Sequence, residues 1–125
     1  MVFDHIGFNV TDFEKTKTFL VQALAPLGLT ILRESAEQGW AMIGKQGQGM
    51  LWFGSLGGTP GPIHIAFAAA DREQVRQFHA AALTAGAQDN GRPGLREHYH
   101  PNYYGAFVIG PDGHNLEAVC HHPQS

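Results

Sequence analysis

The chain has little of several features on which other classes of protein depend. Cys120 is the one cysteine among 125 residues, which rules out a disulfide within the chain and predicts a reducing compartment. The eight Lys and Arg side chains are scattered and the formal net charge is −3, so no basic patch is present for nucleic acid or an anionic membrane surface. No uncharged apolar stretch reaches the ~20 residues of a membrane span, and the first residues lack a signal-peptide pattern. We therefore expect a soluble cytoplasmic protein with no nucleic-acid or membrane partner.

What the chain does have is an internal repeat that carries a histidine. Residues 3–12 reappear as residues 62–71 at an offset of 59 positions, which matches His5 with His64 and Asp12 with Asp71. A fixed period indicates a duplicated structural unit. The length suits one domain. We therefore predict a single domain over residues 1–125, with module one at 1–56, a linker at 57–61, module two at 62–122 and a tail at 123–125.

Each module is predicted to run strand–helix–strand–strand–strand, which is an α+β fold. Alternating and helical spacing of apolar residues, separated by Gly-rich turns, gives this order. Asp12 and Asp71 are expected to cap the two helices, and Gly28 and Gly86 to follow their ends. The predicted elements are strands at about 2–10, 29–34, 39–44, 49–54, 63–69, 87–90, 103–109 and 115–121, and helices at about 13–27 and 72–85. Residues 91–102 are expected to be an irregular connection.

Strand alternation places three ionisable residues on the strand faces opposite the apolar side chains. In the first, fifth and last strands the apolar side chains share one face, and His5, His64 and Glu117 lie on the other, with Asn9 on the same face as His5. Two imidazoles and one carboxylate suit a divalent Zn, Fe, Mn, Ni or Co ion, and three protein ligands leave open positions for water and substrate. The alternative is that each histidine is an ordinary core or surface residue and Glu117 an edge-strand acid.

The chain also resembles a known family. Asp4-His5-Ile6, the second histidine that opens the fifth strand, and Asp112-Gly113-His114-Asn115-Leu116-Glu117 look like the vicinal oxygen chelate superfamily, which includes glyoxalase I, extradiol dioxygenases and bleomycin-resistance proteins. The resemblance implies two βαβββ modules that form an eight-stranded, incompletely closed barrel around a divalent metal ion. It also implies that His5, His64 and Glu117 are the metal ligands.

The chain departs from glyoxalase I at one position. That enzyme has a fourth ligand on the last strand of the first module, where the alignment of residues 51–52 with 116–117 places Trp52 in this chain; Gln48 is out of register. A three-ligand set is the pattern of the dioxygenases and the fosfomycin-resistance enzymes, although no single subfamily fits.

The segment before the seventh strand is rich in functional side chains. Long loops at a barrel mouth often carry substrate contacts, so His98 and His100 are candidate catalytic acids or bases. The candidate substrate-binding residues are Asn9, Trp52, Tyr103 and Tyr104. The alternative is that the segment only packs Tyr rings on the barrel rim and that Trp52 belongs to the core.

These observations predict a metal-dependent, glyoxalase-like enzyme of the lyase, isomerase or dioxygenase type. Its substrate would be a small, oxygen-rich molecule chelated by the metal. The alternative is a non-catalytic drug-binding protein of the bleomycin-resistance type. We also expect a homodimer. If its modules are exchanged, His5 would join His64 and Glu117 of the partner chain, whereas an unexchanged site would draw all three ligands from one chain.

Overall fold

In the part of the chain that the structure describes, eight strands and two α-helices follow the order strand–helix–strand–strand–strand twice. The computed structural model describes residues 5–55 and 63–123, so the start of the predicted first strand, the predicted linker and the last two residues lie outside the described residues. In chain order the elements are β1 (Ile6–Asn9), α1 (Phe13–Leu24), β2 (Thr30–Ser35), β3 (Trp40–Lys45), β4 (Gln48–Gly54), β5 (His64–Ala68), α2 (Arg72–Thr84), β6 (Gln88–Leu95), β7 (Tyr104–Ile109) and β8 (Asn115–Cys120).

Each half of the chain builds one four-stranded mixed sheet. The strand order is β1-β4-β3-β2 in the first sheet and β5-β8-β7-β6 in the second. In each sheet the first strand pairs in parallel with the last, and the remaining pairs are antiparallel. The predicted α+β fold of two βαβββ modules is confirmed. Within residues 5–55 and 63–123 no strand pairing joins the two sheets, so the structure shows two sheets and no closed barrel.

Both helices begin at the aspartates that the repeat predicts. Asp12 Oδ1 accepts a hydrogen bond from Lys15 N at 3.1 Å, and Asp71 Oδ1 accepts one from Gln74 N at 2.8 Å. These bonds satisfy backbone N–H groups of the first turn, which have no partner within the helix. A 3₁₀ turn at residues 25–27 extends α1, and Gly28 ends it in the left-handed region at a φ of 80°.

The apolar sides of the helices and sheets form one continuous core. The helices contact each other, and α2 also packs against β6, β7 and β8. Phe53 and Phe78, one from each module, are the largest fully buried side chains in this core. Neither helix is long and apolar enough to cross a membrane, within the residues described.

His114 ties the two modules together at one end. Its Nδ1 accepts a hydrogen bond from Ile63 N at 3.0 Å, and its ring meets Phe8 edge-on with centroids 4.9 Å apart. Nearby, Thr11 N donates to Asp112 Oδ2 at 2.9 Å. The predicted Asp-Gly turn is confirmed here, because Asp112 and Gly113 both have positive φ, at 63° and 78°.

The structure corrects the prediction for residues 91–102. The sixth strand is not the short run of 87–90 but continues to Leu95, because its pairing with β7 shifts register twice, between Asp89 and Gly91 and between Gly91 and Gly94. Such shifts let a strand carry a residue that cannot donate to the ladder, as Pro93 cannot. The irregular connection is therefore limited to residues 96–103.

Candidate functional site

His64 and Glu117 meet on one face of the second sheet. Glu117 pairs with Ala66 on one side and Phe107 on the other, and His64 starts the neighbouring strand two residues before Ala66. Directly paired residues point to the same side of a sheet, and so do residues two apart on a strand. The register therefore places His64, Glu117 and Phe107 together on the face opposite the helices, as the alternation pattern predicts for the first two.

The His64 imidazole and the Glu117 carboxylate are in direct contact. His64 Nε2 lies 3.0 Å from Glu117 Oε1. The Glu117 side chain is 1% exposed, whereas that of His64 is 49% exposed. A carboxylate this deeply buried is costly unless it is hydrogen-bonded. The pair therefore joins a buried acceptor to an imidazole that solvent and small molecules can reach.

The second oxygen of Glu117 is held by a tyrosine. The Tyr103 hydroxyl donates a short hydrogen bond to Glu117 Oε2. Burial, and then this hydrogen bond, raise the pKa of the Tyr103 hydroxyl well above its usual value of 10.0. Tyr103 therefore remains a protonated donor at neutral pH and fixes the orientation of the carboxylate.

A glycine beside this bond leaves the space that both groups occupy. A Cβ added at Gly105 would lie 3.1 Å from Tyr103 Cε1 and 3.3 Å from Glu117 Oε2. Gly105 pairs with Val119, two residues from Glu117 on the same strand. The lack of a side chain at this position is what lets the phenol ring approach the carboxylate.

His5 is not part of this pair within one chain. It is exposed and lies immediately before β1. Among residues 5–55 and 63–123, no group of three or more His, Cys, Asp or Glu side chains is close enough together to hold a metal ion. The structure thus joins two of the three predicted ligands and leaves His5 on the other sheet.

Trp52 and Asn9 lie on the corresponding face of the first sheet. Trp52 pairs with Gly7, as Glu117 pairs with Ala66, and Asn9 pairs with Gly54. This register supports the alignment that puts Trp52 where the second module has its carboxylate. An added Cβ at Gly7 would lie 3.4 Å from Trp52 Cε3, so the indole lies across that glycine.

The candidate residues between 98 and 104 divide between two sides of the sheet. The exposed His98 packs on Tyr99 with ring centroids 4.2 Å apart, and Tyr99 packs on Tyr103 at 5.0 Å. The His100 ring meets the His121 ring at 5.5 Å. These rings therefore extend outward from Tyr103 and do not touch the His64–Glu117 pair.

Tyr104 points the other way, toward α2. Its ring lies 5.0 Å from the guanidinium carbon of Arg72 and 5.7 Å from that of Arg76, and its hydroxyl accepts from Arg76 Nη1 at 3.2 Å. The structure therefore separates Tyr104 from the other predicted substrate-binding residues.

Sequence reasoning missed two residues beside the pair. The Phe107 ring lies 6.3 Å from the His64 ring at an interplanar angle of 21°, and the guanidinium carbon of Arg96 lies 5.4 Å from the Phe107 centroid. Strand alternation could have found Phe107, because on the predicted strand at 103–109 it lies four residues after Tyr103 and so on the same face. Away from the pair, His79 is buried and its Nε2 lies 3.0 Å from Asp89 Oδ1.

An apolar cavity lies against β1 and β5, the first strands of the two modules. It measures about 420 Å³ and is lined by residues of β1, β4 and β5, among them Ile6, Leu51, Ile65 and Phe67, with Lys45 and His5 as its basic residues. A space of this size and polarity suits a small apolar molecule.

Comparison with known proteins identifies related sequences and folds. Residues 2–118 match the sequence model of the Glyoxalase/Bleomycin resistance protein/Dioxygenase superfamily. No protein with curated functional information gives a significant match.

Solved structures with the same fold cover almost the whole chain. A glyoxalase/bleomycin resistance protein from Albidiferax ferrireducens T118 is 26% identical, with a TM-score of 0.78 over 98% of this chain and 100% of its own. A lactoylglutathione lyase from Agrobacterium tumefaciens is 15% identical, with a TM-score of 0.69 over 95% and 92% of the two chains. A glyoxalase I mutant from Zea mays is 20% identical, with a TM-score of 0.67 over 94% of this chain and 46% of its own.

Proposed function

Because the chain belongs to the glyoxalase/bleomycin resistance protein/dioxygenase superfamily, we propose that it is a metal-dependent, glyoxalase-like enzyme. It would act as a lyase, isomerase or dioxygenase on a small substrate that presents two oxygen atoms. The observation that carries this proposal is the contact of His64 Nε2 with Glu117 Oε1 at 3.0 Å, on a carboxylate whose other oxygen Tyr103 holds.

The residues present fit a divalent metal ion, which members of this superfamily generally bind. Imidazole nitrogen and carboxylate oxygen bind such ions at about 2.1 Å, and two bonds of that length near a right angle separate their donor atoms by about 3 Å. The hydrogen bond from Tyr103 is the kind of outer contact that orients a ligating carboxylate. His64 and Glu117 would hold Zn, Fe, Mn, Ni or Co.

We propose that the third ligand is His5 of a second copy of the chain. His5 is exposed, and within the described residues one chain gathers no three-residue set. A two-fold pair of chains would form two equivalent sites, and such dimers are the commonest oligomers. Three protein ligands keep positions open for substrate, and an eight-stranded, partly closed barrel would then form around each site from modules of both chains.

In this proposal the bound ion supplies Lewis-acid chemistry, by polarising the substrate oxygens and stabilising negative charge that develops on them. The protein residues keep the ligands in place. Tyr103 donates to Glu117 Oε2 and stays protonated, and Gly105 leaves room for both groups. His98 and His100 remain the proposed acid or base, at the outer end of the ring contacts that begin at Tyr103.

The alternative function is drug or small-molecule binding without catalysis. The apolar cavity of about 420 Å³ beside β1 and β5 favours this alternative, because an apolar molecule could bind there without a metal ion. A protein with this function would keep its ligand affinity when His64 or Glu117 is replaced. We also propose a cytoplasmic location, which the buried free thiol of Cys120 supports.

Elemental analysis of the protein purified without added metal tests the proposed function. We expect about one divalent ion per chain in the wild type and most of it lost in His5→Ala, His64→Ala and Glu117→Ala. His79→Ala is the matched control, because it removes a buried histidine that contacts Asp89. Equal metal content in all variants, or none in the wild type even after incubation with each candidate ion, would show that the proposal is wrong.

A further inference from the structure

Arg96 is a half-buried cation whose position is fixed by its neighbours. Its Nη1 donates to the Gly94 carbonyl at 2.8 Å, and its Nη2 donates to the Arg92 carbonyl at 2.8 Å. The guanidinium carbon lies 5.4 Å from the Phe107 centroid. Two backbone anchors and an aromatic contact restrict a side chain that otherwise samples many rotamers, so little entropy is lost when it binds a ligand.

The guanidinium lies on the same face of the sheet as the His64–Glu117 pair. Gly91 pairs with Phe107, and an added Cβ at Gly91 would lie 3.0 Å from Phe107 Cδ1 and 3.1 Å from Arg96 Nη2. Phe107 in turn pairs with Glu117, and its ring lies 6.3 Å from the His64 ring. The imidazole and the guanidinium therefore contact the same phenyl ring.

Arg96 has no carboxylate partner among the described residues. Its side-chain hydrogen bonds within residues 5–55 and 63–123 go to the two carbonyls, and its guanidinium packs on the Phe107 ring. Lys17 and Arg76, by contrast, are paired with Glu34 and Glu73. The two carbonyl bonds use two of the five guanidinium N–H groups, which leaves three donors. A partly desolvated cation with unused donors in a planar fork is suited to a carboxylate or a phosphonate.

We propose that Arg96 binds the anionic group of the substrate, so that this site takes small molecules bearing a carboxylate or a phosphonate. The assignment of the site as substrate-binding rests on the proposed function. The contact between Arg96 and the anion does not itself need the metal. Arg96 is thus a specificity-determining residue that selects charged substrates over neutral ones.

The test is an NMR titration of metal-stripped protein with three probes of the same shape: benzoate, phenylphosphonate and neutral benzamide. The readout is the imidazole signal of His64, which a His64→Gln variant assigns. We expect one or both anions to shift this signal, and Arg96→Gln to weaken their binding by about tenfold or more. Arg92→Gln is the matched control, because it removes the same charge from an exposed side chain four residues earlier, on β6. Arg96→Lys keeps the positive charge but loses the planar set of guanidinium donors, so it should also weaken benzoate binding. It replaces Arg96→Gln in the test if that variant does not fold.

The outcomes separate the two proposals. If no anion shifts the His64 signal, if benzamide binds as well as the anions, or if Arg96→Gln and Arg92→Gln weaken binding equally, the inference is wrong. If the anions bind through Arg96 while His64→Ala and Glu117→Ala keep their full metal content, the metal proposal fails and the anion site stands. Stronger binding of one anion than the other decides between carboxylate and phosphonate.

Discussion

At the residue scale, the chemistry of the candidate site depends on how Glu117 is held. Its side chain is 1% exposed, and its two oxygens have different partners, His64 Nε2 and the Tyr103 hydroxyl. A carboxylate that accepts a bond on one oxygen presents the other in a defined direction, which is what a metal ligand needs. We therefore propose that Tyr103 is a positioning residue that acts through Glu117.

We predict that Tyr103→Phe lowers the affinity for the divalent ion by about 10- to 100-fold, the usual effect of removing an outer partner of a ligand. The ring and its packing remain, so the change isolates the hydroxyl. Competition with a chromophoric chelator measures the affinity.

Tyr99→Phe provides the control, because Tyr99 is 60% exposed and contacts Tyr103 through its ring. It should bind the ion like the wild type. Equal affinity of Tyr103→Phe and the wild type would contradict the positioning role.

A second residue-scale prediction concerns pH and stability. Burial lowers the pKa of His114 below its usual 6.5, an effect that the charge of Asp112 only partly opposes. Below about pH 6.5 the His114 imidazole takes up a proton in the unfolded chain but not yet in the folded chain. The free energy of unfolding therefore falls as the pH falls from that value toward the folded-state pKa. Above about pH 6.5 this loss is absent. Protonation would also place a hydrogen on Nδ1, which accepts from Ile63 N.

We therefore expect His114→Gln to reduce the loss of stability between about pH 7 and pH 5.5. Gln offers a neutral amide oxygen to the Ile63 N–H and does not titrate. Urea unfolding midpoints of both proteins at each pH measure the difference. If the two proteins lose the same stability on acidification, His114 does not contribute to this loss.

At the element scale, the accuracy of the sequence prediction depended on how regular each local pattern is. The helices and most strands follow from uninterrupted periodicity, with Asp12, Asp71 and Gly28 marking helix ends. Residues 91–95 of β6 could not be predicted in this way, because Gly91, Pro93 and Gly94 are residues that ordinarily end a strand. Only the pairing with β7, which supplies partners across two register shifts, keeps that segment extended.

The same distinction explains which site residues were predictable. His64 and Glu117 lie on strands whose alternation fixes their side, whereas Arg96 lies just beyond the irregular end of β6. Its position depends on pairing between strands, which a single sequence does not reveal. Tyr103 was placed near the site by its neighbourhood, but its bond to Glu117 depends on the space left by Gly105.

The element-scale prediction is that Asp71→Ala lowers the free energy of unfolding by about 1 kcal/mol, because the first turn of α2 loses its acceptor for Gln74 N. Asp71→Asn keeps a side-chain oxygen and should retain most of the stability. Urea denaturation at fixed protein concentration measures both. An Ala variant as stable as the wild type would show that the cap contributes nothing.

At the scale of the whole molecule, the two modules are alike in topology but differ in what they offer a metal. The second module brings His64 and Glu117 together, whereas His5, the proposed third ligand, lies just before β1 of the first sheet. The proposed exchange between chains would complete the set.

We predict that two defective variants complement each other. Consider a mixed dimer of one His5→Ala chain and one His64→Ala chain. One site takes His5 from the His64→Ala chain and His64 and Glu117 from the His5→Ala chain, so it is intact. The other site carries both defects. Random reassembly after joint unfolding should restore about a quarter of the wild-type sites in a two-fold dimer. Metal analysis of the mixture, set against each variant refolded alone, gives the result.

A site built within one chain gives no recovery, because each chain of the mixture would still lack one ligand. Light scattering of the wild type at micromolar concentration supplies an independent check. A monomeric mass there contradicts the dimer whatever the mixture shows.

The pairing of Trp52 with Gly7 has an optical consequence. In the first module an indole stands where the second module has a carboxylate. Trp52 directly follows Leu51, the residue that pairs with Ile6 next to His5. An indole cannot ligate a metal, but it fluoresces, and Trp40 is the chain's other tryptophan. Of the two equivalent positions in the repeat, one is therefore occupied by a fluorescent side chain. A paramagnetic ion held by His5 would quench the emission of Trp52. Trp52 is thus an intrinsic fluorescent probe at the position where the two modules differ, with Trp in the first and Glu117 in the second.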